Sequence, residues 1–290
     1  MLVYYKISDV RIRIATILFF CCLASLTFGQ ITKIMTYNIR LDYPKKGENS
    51  WQQRKVFLTG QLSFYEPDIF GIQEGLPHQV RYIDSILPNY NFVGVGRDDG
   101  MVKGEYSAIF YNTDKFEVIQ QATFWLSETP DMVSIGWDAA MERICTYALF
   151  KDKKSKHYFW VFNTHFDHIG DKARVNSAKL IVDRINSNNP KNYPVILMGD
   201  FNLEPQSNGI EFILNYFNDS KMVSLKAPFG PKGTFNGFNF EKPVTRRIDY
   251  IFVSKKNCIV HKYAVLSDAI QCRYPSDHLP VYIELSLLIE

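Results

Sequence analysis

About ten short apolar runs, with only a few amphipathic stretches between them, confine this chain to a layered α/β fold. Residues 31–38, 68–73, 144–151, 157–163, 195–198, 248–253, 259–266 and 281–287 read as strands. Residues 106–111 and 116–126 read as a hairpin across Asn112-Thr113-Asp114. Helices are expected over 51–65, capped by Ser50 and stopped by Pro67, and from Pro77 to Leu87, ended by Pro88. Two more are expected over 173–185 and 209–216. Too few helices separate the strands for a doubly wound sheet or a (β/α)₈ barrel, which leaves helices outside packed sheets. No repeat and no Pro/Gly-rich linker divides the chain, so residues 30–290 read as one domain. The 46% hydrophobic fraction suits such a core and excludes a disordered, collagen-like or coiled-coil chain.

The first 29 residues read differently. Lys6, Arg11 and Arg13 form a basic start, residues 14–28 carry no charge, and Thr27-Phe28-Gly29 resembles a cleavage site. We read a secretory signal peptide, hence a secreted or periplasmic protein. A membrane anchor is the alternative, but the run falls short of the ~20 apolar residues a spanning helix needs. Cys21 and Cys22 invite a lipoprotein reading, which Phe19 and Phe20 oppose. No other segment is long and apolar enough to span. Cleavage after Gly29 would leave 30 basic and 29 acidic side chains, and Cys145, Cys258 and Cys272. Cys258 and Cys272 are read either as a bridge or as isolated thiols; no C-x-x-C pair exists for a zinc or redox site.

Several polar residues stand at the ends of expected strands: Asn38, Glu74, His165, Asp200 with Asn202, Asp249, and Asp277-His278. Each alone reads as an ordinary turn or surface residue. Asp249 is the exception, because an acid between Ile248 and Tyr250-Ile251-Phe252 is costly to bury without a partner. Strand ends at one edge of a sandwich converge, so six scattered segments can build one pocket. Carboxylate and amide oxygens such as those of Glu74 and Asn38 suit Mg²⁺, or Mn²⁺ as a substitute, better than zinc. A His–Asp pair fixes an imidazole tautomer and supports its charged form. No Gly-x-Ser-x-Gly elbow, phosphate-binding Gly-x-x-x-x-Gly-Lys loop or His-Glu-x-x-His helix is present.

In order, Thr36-Tyr37-Asn38, Ile72-Gln73-Glu74, Asn163-Thr164-His165, Gly199-Asp200-Phe201-Asn202, Arg247-Ile248-Asp249-Tyr250-Ile251 and Ser276-Asp277-His278 resemble the endonuclease/exonuclease/phosphatase superfamily. The resemblance implies a four-layer α/β sandwich: two mixed β-sheets packed face to face, helices outside, the active site at one end. It implies Glu74 as the principal metal ligand with Asn38 beside it, and His278 as the catalytic histidine paired with Asp249. Asp200 and Asn202 would orient the attacking water and contact phosphate, and Asp277 would help place the metal or the phosphate. His165 matches the second histidine of the deoxyribonuclease-like and sphingomyelinase-like members, which sets the abasic endonucleases apart. Glu105 sits where deoxyribonuclease-like members keep an acid that pairs with that histidine; the other reading is a surface glutamate. The implied reaction is direct attack of water on a phosphoester, with no covalent enzyme intermediate.

The substrate is read from loops. In Gly96–Glu105, Arg97 and Lys103 are candidates for a second phosphate or a charged head group, or they are simply solvated. Trp137 is a candidate stacking surface for a base or sugar, as is Trp125, for which core packing competes. His168 lies three positions after His165 and could reach the same cleft. A mature charge near zero does not favour non-specific nucleic-acid binding. The expectation is a secreted Mg²⁺-dependent phosphodiesterase. The alternatives are a phosphomonoesterase acting on a phosphorylated sugar, inositol or lipid head group, and a catalytically silent binding module.

Overall fold

The computed structural model describes residues 30–43 and 47–288. The expected leader, residues 1–29, lies outside the described residues. Among the described residues, twelve strands form two six-stranded mixed sheets. The first contains β1 (Ile31–Asn38), β2 (Ile69–Gln73), β3 (Tyr90–Val93), β4 (Ile109–Asn112), β11 (Cys258–Val265) and β12 (Val281–Leu287), in the order β11-β12-β1-β2-β4-β3. The second contains β5 (Phe116–Trp125), β6 (Ile144–Asp152), β7 (Tyr158–His165), β8 (Val195–Asp200), β9 (Phe217–Asp219) and β10 (Asp249–Ser254), in the order β5-β6-β7-β8-β10-β9. Each sheet has one parallel pair at its centre, β1–β2 and β7–β8.

The central strands are apolar on both faces because both faces are covered. Ile34, Ile69, Val161, Ile196, Met198, Ile251 and Ile283 point between the sheets and form the middle core. Their neighbours Met35, Tyr37, Phe70 and Ile72 point outward under α1 (Trp51–Tyr65) and α2 (Pro77–Ile86). On the other side, Trp160, Phe162, Leu197 and Phe252 point outward under α3 (Asp171–Asn188) and α4 (Asn208–Leu214). Helix, sheet, sheet and helix are the four layers expected. Among the described residues no helix is long and apolar enough to cross a membrane.

One local expectation fails. Strands β4 and β5 are not a hairpin: β4 pairs with β2 and β3, while β5 pairs with β6. The Asn112-Thr113-Asp114 turn instead carries the chain from one sheet to the other. Its composition marks a turn but not which sheet follows. Strands β3 and β9 and the short helix α5 (Ser220–Val223) are additions. Cys145, Cys258 and Cys272 are free thiols, so the Cys258–Cys272 bridge is not formed.

A polar staple crosses the middle core. Asn163 of β7 donates through Nδ2 to the carbonyls of Ile72 and Ala108, each at 2.9 Å. Its Oδ1 accepts from Gln73 Nε2 at 2.7 Å, and Gln73 also donates to Thr36 Oγ1. Gly71 makes the room: a Cβ there would stand 2.5 Å from Asn163 Oδ1 and 2.8 Å from Met198 Cε. Because Asn163 is pinned by its bonds, it cannot yield. Gly71→Ala is expected to cost about 2–4 kcal/mol of stability by overpacking and broken hydrogen bonds. Denaturant unfolding would check this; a loss under ~1 kcal/mol would show that the staple repacks freely.

Candidate active site

The inward alternation of four strands explains where most of the polar residues meet. At the pole where the middle core ends, the inward positions of β1, β7, β8 and β10 become Asn38, His165, Asp200 and Asp249. Asp249 and Asp200 are register partners. Antiparallel β12 starts beside the end of β1, which brings Asp277-His278 to the same pole. Glu74 follows β2. These residues, gathered from six segments, are all buried.

Asn38 ties the two sheets together. Its Nδ2 donates to Glu74 Oε1 and to Asp200 Oδ2, both at 3.0 Å. Its Oδ1 accepts the Arg40 backbone N–H at 3.0 Å, so the amide orients two carboxylates. Glu74 Oε2 accepts the Leu41 N–H. Arg54, buried on α1, donates to the carbonyls of Ile39, Arg40 and Pro275 and holds the two neighbouring loops. Ser276 Oγ donates to the Asn38 carbonyl at 2.7 Å. Arg40, Glu74 and Asn202 all take left-handed φ values of 57°, 62° and 48°. Such strain costs ~1–3 kcal/mol per residue and persists where the surroundings overdetermine it.

His278 Nδ1 lies 2.9 Å from Asp249 Oδ2, and its Nε2 lies 3.7 Å from Asp200 Oδ2. Burial opposes a charge on the ring, but Asp249 and Asp200 outweigh it and push His278 up to about 10. The ring is therefore an imidazolium at neutral pH. Burial and the neighbouring Asp249 push Asp200 up to about 7. His165 behaves oppositely: burial, with Arg143 and Arg97 nearby, holds it well below its ordinary value. Asn202 Nδ2 donates to the Phe166 carbonyl, which fixes its amide, and also to His165 Nε2 at 3.2 Å. His165 is thus a neutral ring with its hydrogen on Nδ1, 3.9 Å from Glu105 Oε2. That separation is too long for a hydrogen bond. Glu105 instead receives both terminal nitrogens of Arg97, at 2.9 and 2.8 Å.

Two sets of donors fit a divalent cation. Asp200, Asp249 and His278 offer donor atoms that all lie within 4.8 Å of one another. Glu74 and Asp277 face each other across Arg40, whose guanidinium stands 3.4 Å from Glu74 Oε2 and 3.5 Å from Asp277 Oδ2. Burial raises Asp277 and Glu105 as it raises Asp200, so the basic side chains leave these acids short of positive charge. An oxygen-rich set with that deficit suits a hard cation such as Mg²⁺ or Mn²⁺.

One cleft of about 540 Å³ runs over this pole. Glu74, Glu105, His165, His168, Asp200, Asn202, Asp277 and His278 line it; Asp249 and Asn38 lie behind. Arg97, Lys103 and Trp137 do not line it. Arg97 is spent on Glu105, and Lys103 is exposed in a loop closed by Asp99, which accepts the Met101 and Lys103 N–H groups. Trp137 sits at a left-handed φ of 51° and gives its N–H to Glu128. Trp125 donates Nε1 to the Arg97 carbonyl and packs as loop support. Sequence reasoning missed Arg40, Arg143, Arg246 and Phe235, which also line the cleft. Arg143 had a signal: a charge directly before the apolar Ile144 strand.

A family model described as "Endonuclease/Exonuclease/phosphatase family" matches residues 35–278. The chain is similar to a crystal structure of an endonuclease/exonuclease/phosphatase family protein from Bacteroides thetaiotaomicron. The two are 39% identical with a TM-score of 0.86, over 90% of this chain and 99% of that one. It is also similar to the mannosyl-6-phosphatase Bt3783 of Bacteroides thetaiotaomicron VPI-5482, 40% identical with a TM-score of 0.83, over 88% of this chain and 100% of that one. The uncharacterized protein L388 of Acanthamoeba polyphaga mimivirus is 28% identical over 80% of this chain and 91% of its own length.

Proposed function

This chain belongs to the endonuclease/exonuclease/phosphatase family, and from that premise we propose that it is a Mg²⁺- or Mn²⁺-dependent phosphatase that removes phosphate from a sugar. The likeness to a mannosyl-6-phosphatase, 40% identical over 88% of this chain, carries the choice of a monoester; Arg40, Arg143, Arg246 and the charged His278 line the cleft and would face the dianion, with the cation offsetting the acids beside them. A monoester dianion needs more neutralising charge than a diester. The likeness to a mannosyl-6-phosphatase supports a sugar as the alcohol part. This reading therefore ranks ahead of the diester expected from sequence.

Glu74 and Asp277 would hold the cation, with Asn38 orienting Glu74. Bound there, it would supply Lewis-acid polarisation of a phosphoryl oxygen. We place it there because a cation among Asp200, Asp249 and His278 would break the buried His278–Asp249 pair, whereas a cation between Glu74 and Asp277 would displace only the part-exposed Arg40 guanidinium, freeing it for the phosphate. Asp200, ionised above about 7, takes a proton from the attacking water. The His278 imidazolium directs its Nε2–H toward a non-bridging phosphoryl oxygen and steadies the charge that builds there. Asn202 and neutral His165 line the wall beside Asp200, and Arg40 and Arg246 offset the phosphate's charge. The water oxygen bonds to phosphorus, the ester P–O bond breaks, and the sugar oxygen takes a proton from solvent water and leaves as an alcohol.

The assay compares mannose 6-phosphate, p-nitrophenyl phosphate and bis-p-nitrophenyl phosphate, with Mg²⁺ or with EDTA, on residues 30–290. Metal-dependent release of phosphate from both monoesters, with the diester slower by at least ~tenfold, is expected. Preference for the diester would restore the phosphodiesterase reading. Silence on all three, joined to no measurable Mg²⁺ or Mn²⁺ binding, would favour a binding module. Export is part of the proposal: the secreted protein is expected to begin at Gln30, as N-terminal mass spectrometry would show.

A further inference from the structure

The cleft wall formed by residues 140–143 and 167–170 is built around a buried arginine that the mechanism above uses only as charge. Arg143 is 4% exposed. Its Nη2 lies 3.0 Å from His168 Nδ1, and its Nε lies 3.4 Å from Asp167 Oδ1. Asp167 is itself fixed, because it accepts the backbone N–H groups of Ala140, Ile169 and Gly170. Asp138 accepts the N–H groups of Lys172 and Ala173 and ties the same loop to the start of α3. The wall is therefore anchored at both ends.

A guanidinium only donates hydrogen bonds. His168 Nδ1 must then accept, and Asp167 Oδ1, 3.9 Å from that nitrogen, is too far to compete for a hydrogen there. With Nδ1 accepting, the ring hydrogen lies on Nε2. His168 is half exposed and lines the cleft, and its Nε2 has no hydrogen-bond partner among the described residues. None of its bonds goes to Glu74, Asp200, Asn202 or His278, so it stands apart from the groups that face phosphate.

We propose that Arg143 is a positioning residue that locks His168 in this tautomer, and that the His168 Nε2–H reads an oxygen of the alcohol part of the substrate. The second half rests on the sugar-phosphatase reading above. A sugar offers hydroxyl and ring oxygens there, and an aryl phosphate does not. His168 thus acts on which monoester is accepted rather than on the P–O bond.

Two measurements test this. In the unliganded protein, ¹⁵N-detected imidazole spectra report which ring nitrogen carries hydrogen. Wild type is expected to show the Nε2–H form at His168, and Arg143→Lys, which loses the planar fork, a tautomer mixture. An Nδ1–H form in wild type would overturn the Arg143 assignment whatever the enzyme cleaves. In kinetics, His168→Phe is expected to lower kcat/KM for mannose 6-phosphate about tenfold more than for p-nitrophenyl phosphate. The loss should appear mainly in KM, with His168→Gln recovering part of it. Equal losses on the two substrates would overturn the reading of the alcohol. A wild type that cleaves p-nitrophenyl phosphate but no sugar phosphate would overturn the proposed function and the alcohol reading together, while the tautomer result stands by itself.

Discussion

Asp249→Asn is expected to lower kcat by ~10²–10⁴-fold while leaving the affinity for Mg²⁺ within a few-fold of wild type. The amide keeps the shape of the side chain and removes the charge that sustains the His278 imidazolium. Burial then dominates, and the ring loses its proton at a lower pH. On the proposed mechanism, wild-type turnover needs Asp200 ionised, so the rate is expected to rise with pH through about 7. It also needs His278 protonated, so the rate falls as pH passes about 10. Asp249 raises both groups, and its loss moves both limbs of the profile toward lower pH. Stability follows the same sign. The folded value of His278 is raised, so its contribution is full below the ordinary histidine value near 6.5 and is lost as pH rises through about 10. A pH–rate profile of the variant decides the matter. An unmoved alkaline limb, or unchanged activity at neutral pH, would remove the pairing from the mechanism.

Glu74→Gln is expected to abolish measurable turnover at millimolar Mg²⁺ and to weaken Mg²⁺ binding by at least ~100-fold. Changing an outer-shell partner of a metal site costs ~10–100-fold in affinity, and losing a direct ligand costs more. The substitution is nearly isosteric. Glutamine keeps one oxygen for either the Leu41 N–H or the Asn38 amide and turns its NH₂ toward the other donor, so the melting temperature is expected to fall by several degrees while the fold is retained. Calorimetric titration with Mg²⁺, read beside thermal unfolding, separates metal loss from misfolding. It also decides between the two donor sets at this pole. Undiminished affinity in the variant would put the cation among Asp200, Asp249 and His278 instead.

Much of the architecture was legible because burial on both faces leaves an unbroken apolar run, as in Val195–Asp200 up to Met198. The candidate site was legible for the converse reason. Where an inward position ceases to be apolar, as at Asn38, Asp200 or Asp249, a polar group is being buried and must be partnered. Partnership was harder to read. Glu105 faces Arg97 at bonding distance rather than His165, and Asn38 spends its oxygen on a backbone N–H. Those choices are made by loops whose course depends on distant chain. The same holds for the 96–105 loop, which folds onto its own Asp99 and leaves Lys103 in solvent. The turn at 112–114 was legible as a turn and not as a crossing, because only the destination differs. Arg40 and Arg143 escaped notice because an arginine beside a strand reads as surface until its surroundings are known.

The pairing of Ile31 with Ser286 places the start of β1 next to the end of β12. Asn38, seven residues on, lies ~23 Å along the strand, at the reactive pole. A linker joining the two strand ends would therefore be short and far from the cleft. Circular permutants closed there and reopened in an outer loop should keep the pocket intact. Immobilising the protein through either of these strand ends would leave the cleft turned toward solution.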